Sequence, residues 1–416
     1  MKFLVSGGRR LQGKVRISGA KNAALVLIAA SVMAADDVVL DNVPRIADVD
    51  TQLQIVASLG GRFVWEGENT VRISWPEGIE TTTTPFQLAK KLRASNLFLG
   101  ALLARTGKAE IPLPGGCNIG SRPMDLHLKG LQALGFEVKL EHGFIKAWAK
   151  KPTGNRVYLD FPSVGATENI MMAAAGIPEV TVIENAAKEP EIVNLASFLT
   201  ALGVKVRGVG TDIIRIEGVK ERGGARCGVI PDRIEAGTYM IAAGITGGEV
   251  TLENVIITHL HPVIAKLEEA GLKVDVGEDT LTVTPSGELK ATDIKTLPYP
   301  GFPTDLQSPM MALLSVAKGT STIVENVFEN RFQVADELKR MGAQIKVKGQ
   351  TAIVEGVEKL YGAQVKATDL RAGAALIIAA LAAEGETEIC QGELIARGYE
   401  KIEEKLSGLG AKVRVV

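Results

Sequence analysis

The sequence predicts an α/β protein built as two inside-out, barrel-like domains, each of three repeated units of about 70 residues. Three observations lead there. A Leu-Gly pair or close variant recurs at Leu59-Gly60, Leu134-Gly135, Leu202-Gly203, Ala270-Gly271, Met341-Gly342 and Leu409-Gly410, with glycine spacings of 75, 68, 68, 71 and 68. Intervals this even over a whole chain mark an internal repeat. Each repeat opens on a helical stretch that is apolar almost all round, and such a helix must be buried on every side. Each stretch is followed by elements able to surround it: a short strand, an amphipathic helix and two strands of period two.

In chain order, the apolar helices are expected at 22–35, 95–104, 169–175, 239–245, 310–317 and 372–383. Short strands, often closing on Asn-Val, follow at 38–43, 180–185, 250–255 and 322–327. Amphipathic helices such as 334–341 and 399–409 end at the marker glycine, a natural helix C-cap. Strand pairs such as 344–347 with 351–354 complete a repeat. The sixth repeat lacks its closing strands, and residues 2–18, which alternate in strand fashion, are read as supplying them. The chain then crosses between domains near Ala20 and Ile230. One domain is 21–229, and the other is 1–20 with 230–416.

The 416 residues carry a net charge of −1 and no Lys/Arg-rich block, which argues against nucleic acid as a partner. The longest apolar runs, 23–35 and 372–383, fall short of a membrane span, and residues 1–10 hold too short an apolar run for a secretory signal. No membrane partner is expected. The three cysteines, Cys117, Cys227 and Cys390, are far apart and odd in number, which fits a reducing cytoplasm. His259 and His261 read as solvated residues, and no Cys/His cluster has metal-ligand spacing, so no metal is expected. No phosphate-loop, dinucleotide or nucleophile-elbow motif occurs, so no cofactor is expected.

The stretch from Pro114 to His127 concentrates the chemistry. Cys117 follows Gly115-Gly116, and Arg122, Asp125 and His127 come within ten positions of it. A thiol in a glycine-rich loop near cations is accessible, and its thiolate is favoured. The leading segments of the apolar helices carry Lys21 and Asn22, Arg93 and Ser95, Thr167 and Glu168, Asp232 and Arg233, Asp305 and Gln307, and Asp369 and Arg371. Parallel helices would gather these starts at one end, where free N–H groups and partial positive charge suit a highly charged anion. Ordinary capping is the plainer explanation for about half of them, and Asp305 by its own pattern reads as an N-cap.

Seven segments together resemble the enolpyruvyl transferase family over the full length of the chain. They are Ser18-Gly-Ala-Lys-Asn-Ala-Ala24, Pro114 to His127, Ser163-Val-Gly-Ala-Thr167, Pro231-Asp-Arg-Ile234, Phe302-Pro-Thr-Asp305, Glu329-Asn-Arg-Phe332 and Arg397-Gly-Tyr399. The family's fold is a pair of inside-out α/β domains of three repeats each. Within the family the segments are similar to the branch acting on UDP-N-acetylglucosamine. The resemblance implies transfer of enolpyruvate from phosphoenolpyruvate to the sugar 3′-hydroxyl in peptidoglycan synthesis. It also implies that Lys21, Asn22, Arg122 and Arg397 hold phosphoenolpyruvate, and that Cys117 is the proton donor and the site of covalent attack by fosfomycin. Asp305 is implied to receive or orient the hydroxyl proton. The nucleotide sugar is implied to contact Arg93, Arg122, Pro123, Met124, Asp125, Leu126, Ser163, Val164, Gly165, Asp305 and Val327.

Phe161 stands where many family members have lysine, which removes one charged contact to the nucleotide phosphates. Arg331 lies in a matching segment and is counted with the substrate-binding residues, an inter-domain salt bridge being an equally plain role. Cys117 and Arg122 fall in the second repeat and Arg397 in the sixth, so one anion engages both sets only if the two domains close. Two rivals remain: a relative acting on shikimate 3-phosphate, and a non-catalytic sensor of nucleotide sugars.

Overall fold

The computed structural model describes residues 1–113, 119 and 123–416. They divide into two compact units. Unit 1 holds residues 1–18, 119 and 231–416, and unit 2 holds 19–113 and 123–230. Among the described residues the strands form six separate open sheets, five of four strands and one of three. No sheet closes on itself, so the barrel-like description is corrected to short open sheets in an α/β fold.

In unit 2 the apolar runs form the helices Lys21–Ala30, Phe98–Thr106 and Val164–Ala174. Residues 23–33 are buried without interruption, as an all-round apolar helix requires. The second and third helices approach so closely at Gly100 that a Cβ there would lie 2.3 Å from the Asn169 carbonyl oxygen. Arg222 shows how the three run. Its guanidinium donates to the carbonyls of Met33 (3.1 Å), Ala104 (2.9 Å) and Ala175 (3.5 Å), near the C-terminal ends of all three helices. One side chain reaches three C-terminal ends only if the helices are parallel. Arg105 adds a bond to Met33 O at 3.3 Å. Burial, and then the Arg105 charge, lower the Arg222 pKa. The carbonyl ends of the helices offset that cost.

In unit 1 the helices Arg233–Thr246, Gln307–Leu314 and Leu370–Ala382 pack on one another in the same manner. The sequence places residues 2–18 with the last repeat, and the structure divides them. Strand Phe3–Ser6 lies between Glu386–Cys390 and Lys412–Val415, pairing Phe3 with Ile389 and Val415. Strand Gln12–Arg16 instead runs parallel to Glu249–Glu253. The last sheet already receives Lys412–Val415 from its own repeat and needs one further strand, not two.

All six marker glycines take positive φ (100, 82, 92, 91, 96 and 93° for Gly60, Gly135, Gly203, Gly271, Gly342 and Gly410), a region closed to most side chains. Asn42, Asn185 and Asn254 adopt φ of 56, 55 and 61° as their strands end. Each amide donates to a neighbouring backbone carbonyl, of Val229, Leu159 and Ile17. Several helix boundaries differ from expectation, the helix expected at 239–245 running from Arg233 to Thr246 for example, and two of the differences have a clear local reason. The third helix begins at Val164 because Ser163 caps it, accepting from Ala166 N–H at 3.3 Å. The last begins at Ile402 because Lys401 takes φ 47°.

Arg222→Met leaves buried helix-end carbonyls without their donor, at about 1–3 kcal/mol each. The melting temperature should fall by roughly 5 °C or more, given about 2–4 °C per kcal/mol for units of this size. Calorimetry on the variant and on Arg222→Lys tests this. An unchanged melting temperature for the methionine variant removes the capping role.

Candidate active site residues

Lys21 opens the helix Lys21–Ala30. The chain leading to it is tightly placed, because a Cβ on Gly19 would lie 1.7 Å from the Asn42 carbonyl oxygen. Lys21 Nζ pairs with Asp48 Oδ2 at 2.7 Å, and the two side chains are only 11% and 4% exposed. Asp48 sits in the first turn of the helix Ala47–Ser58. One turn on, Gln52 donates to the carbonyls of Leu25 (3.0 Å) and Ala94 (3.3 Å). The same helix face thus holds the Lys21 helix and the short Arg93–Leu97 turn that Arg93 begins. Asn22 is exposed beside Lys21.

The other sequence-predicted residues of unit 2 lie at element starts. Met124 is buried, with its sulfur 3.3 Å from the Asn96 amide nitrogen. Asp125 and Leu126 open the helix Asp125–Ala133, and Pro123 is exposed just before it. Ser163, Val164 and Gly165 form the start of the Val164–Ala174 helix, where the Ser163 side chain accepts from Ala166 N–H. Phe161 is exposed nearby. Cys117 and Arg122 lie outside the described residues.

In unit 1 the structure brings Asp305, Arg331 and Val327 together. Asp305 lies inside the 3₁₀ turn Thr304–Leu306, and its carboxylate meets guanidinium groups, so its reading as an N-cap is corrected. Arg331 Nη2 donates to Oδ1 at 2.7 Å, while Arg371 Nη2 and Nε donate to Oδ2 at 3.0 and 3.2 Å. Both arginines are almost fully buried. Burial alone would push the Asp305 carboxyl up. The Arg371 and Arg331 charges, with Arg233 further off, outweigh it and hold the carboxyl well below the usual carboxylate range. Arg331 therefore forms this ion pair within unit 1.

Val327 is fixed through its backbone. The buried carboxylate of Glu325 accepts from Val327 N–H (2.8 Å), Phe328 N–H (3.1 Å), Thr296 Oγ1 (2.8 Å) and Thr304 Oγ1 (2.9 Å). Glu325 so ties the Val327 loop to the residue before Asp305. Arg397 lies in the turn between Gly392–Leu394 and Ile402–Gly408. Two residues on, the buried Tyr399 anchors that turn, its hydroxyl 2.9 Å from Thr238 Oγ1 and its ring 5.4 Å from the Arg371 guanidinium carbon. Capping accounts for Ser163, Asp232 and Asp369, which accept from backbone N–H groups at their helix starts.

Asp48, Glu325 and Arg371 were not assigned roles from sequence. Arg371 carried a signal, standing two residues after Asp369 at the start of an apolar helix. Asp48 carried none, since it acts on a residue of a different element, and for Glu325 the two partners that tie the loop to the 3₁₀ turn, Thr296 and Thr304, are distant in sequence.

The chain matches the family model described as EPSP synthase (3-phosphoshikimate 1-carboxyvinyltransferase) over residues 5–406. The chain belongs to this family of enolpyruvyl transferases. It is 55% identical over 413 residues to UDP-N-acetylglucosamine 1-carboxyvinyltransferase 1 of Caldanaerobacter subterraneus subsp. tengcongensis, covering 99% of each chain. It is 56% identical over 417 residues to UDP-N-acetylglucosamine 1-carboxyvinyltransferase 2 of Carboxydothermus hydrogenoformans, covering 100% of this chain and 99% of the relative. Among solved structures it resembles the enolpyruvyl transferase NikO from Streptomyces tendae, with TM-score 0.89 and 26% identity over 99% of this chain and 98% of that one. EPSP synthase from Acinetobacter baumannii shares the fold at TM-score 0.75 and 19% identity, with both chains covered in full.

Among the described residues no helix is long and apolar enough to cross a membrane, and no cluster of His, Cys, Asp and Glu could hold a metal ion. His261 is exposed at the start of the helix His261–Glu269, but His259 is half-buried in the turn Ile257–His259, which corrects its reading as solvated. Burial, and then the Arg233 charge, push its imidazole down to about 4 from an ordinary 6.5. The unfolded chain therefore binds the extra proton between pH 6.5 and 4. The His259 contribution to stability should be complete above this window and decline as pH falls through it. Melting temperatures of wild type and His259→Gln across that range test this. Parallel curves would exclude His259 as the titrating group.

Proposed function

We infer that this chain transfers the enolpyruvyl group from phosphoenolpyruvate to the 3′-hydroxyl of UDP-N-acetylglucosamine, releasing phosphate, in the first committed step of peptidoglycan synthesis. The observation carrying this reading is identity of 55 and 56% over the whole chain to relatives bearing that activity in their names. It favours the UDP-sugar acceptor over shikimate 3-phosphate. A cytoplasmic location belongs to the same reading, since phosphoenolpyruvate is a metabolite of the cell interior. So does the architecture: each unit reads as a domain of three repeats, supported by the six marker glycines with positive φ.

Phosphoenolpyruvate carries a phosphate and a carboxylate, and guanidinium forks and a lysine recognise both. Lys21, Arg122 and Arg397 take this role, with Asn22 beside Lys21. The sugar O3 forms a bond to C2 of phosphoenolpyruvate as its hydroxyl proton passes to Asp305, while C3 gains a proton from Cys117. In the second step C3 gives up a proton, the double bond re-forms and the C2–O bond to phosphate breaks. The cations stabilise the charge on the departing phosphate. Asp305, held ionised by Arg331 and Arg371, accepts a hydrogen bond from the 3′-hydroxyl. It gains strength as a base only when one guanidinium moves away. Arg93, Pro123 to Leu126, Ser163 to Gly165 and Val327 contact the nucleotide sugar.

Phosphate release with phosphoenolpyruvate should occur with UDP-N-acetylglucosamine and fail with shikimate 3-phosphate. Release with neither acceptor would leave a sensor. Fosfomycin should add once, at Cys117; peptide mapping that placed the adduct on Cys227 or Cys390 would overturn the assignment. Asp305→Asn should keep UDP-sugar binding in calorimetry yet lose about 10²- to 10⁴-fold in turnover. Normal turnover would leave Asp305 a structural anion only.

A further inference from the structure

The Val164–Ala174 helix is apolar from Ile170 onward, yet it carries a fully buried asparagine before that run. Asn169 Oδ1 accepts from Gly100 N–H at 2.7 Å. A backbone N–H only donates, so this bond decides which way round the amide lies. The amide nitrogen then faces the opposite side. It stands 3.0 Å from Nδ1 of His127 and 3.3 Å from the Gly165 carbonyl oxygen. An NH₂ group only donates, so His127 Nδ1 is the acceptor and a neutral ring keeps its proton on Nε2. The His127 ring lies against Gly165, where a Cβ would be 3.0 Å from Cε1 and 3.4 Å from Nε2.

The three partners of this one amide share a property. Gly100 lies three residues after the Arg93–Leu97 turn, in the helix that continues it. His127 directly follows Pro123 to Leu126, and Gly165 belongs to the Ser163 to Gly165 helix start. Each partner is thus in, or next to, a segment assigned to the nucleotide sugar. A buried amide costs free energy unless every bond is made, and a leucine of similar size would bury without that cost.

We propose that Asn169 is a positioning residue for the nucleotide sugar, with His127 as its acceptor, setting the relative placement of these three segments. This rests on the function assigned above. Placement matters more in this chain because Phe161 supplies no charge, so the start of the Val164–Ala174 helix offers the diphosphate only its backbone N–H groups beside the Arg93 side chain.

Steady-state kinetics on four variants test the proposal, with the melting temperature read in parallel. Asn169→Leu and His127→Leu remove one side of the Asn169–His127 bond. Each should raise KM for UDP-N-acetylglucosamine at least about tenfold, the loss of one good hydrogen bond. KM for phosphoenolpyruvate and kcat at saturation should stay within about threefold. His127→Gln keeps an acceptor and should hold KM for the UDP-sugar within about threefold of wild type. Asn169→Asp keeps the acceptor for Gly100 but sets a carboxylate oxygen against the Gly165 carbonyl, a bond lost even where His127 switches tautomer to donate from Nδ1; it should raise KM for the UDP-sugar and takes the place of Asn169→Leu if that variant does not fold. The proposal is overturned if His127→Gln and His127→Leu behave alike, if both KM values rise together, or if only the melting temperature falls. Loss of activity in wild type itself would instead overturn the function assigned above and this proposal with it.

Discussion

The structure depends on burying helices that have no polar face. A helix sealed on all sides still presents unpaired N–H groups at one end and unpaired carbonyls at the other. Where three such helices run parallel, as in unit 2, these ends are concentrated rather than scattered. Arg222 answers the carbonyl ends of all three with one guanidinium. At the N–H ends the chain places Lys21, Arg93 and Ser163. The binding chemistry proposed for these residues is thus a by-product of how the core is closed.

Unit 1 answers the same constraint with different groups. Its helix starts bring Asp305 against Arg371 and, through the neighbouring loop, Arg331. A single carboxylate between two buried guanidinium groups is held ionised, and each arginine is held in place by it. Glu325 performs a neutral counterpart of this task, using four donors rather than two cations to fix the Val327 loop beside Thr304.

Much of the architecture was legible because it rests on local signals. A glycine after each amphipathic helix announces positive φ, and an apolar run of ten or more residues announces a buried helix. The errors are also local in origin. Asp305 reads as an N-cap because its partners, 26 and 66 positions away, leave no mark on the neighbouring sequence. Asn169 hides at the edge of an apolar run, and only its contacts with Gly100, His127 and Gly165 give it meaning. The residues proposed to touch substrate were found by motif; the residues that hold them were not, since a supporting side chain needs only the right place.

The pairing of Lys21 with Asp48 bears on how substrate arrives. A cation already faced by a carboxylate projects little field into solvent, because the two charges cancel beyond a few ångströms. The chain as a whole carries a net charge of only −1, so its total charge exerts no long-range pull on an anion. Selection among anions falls to the last few ångströms, where the geometry of donors, rather than total charge, separates one phosphorylated metabolite from another.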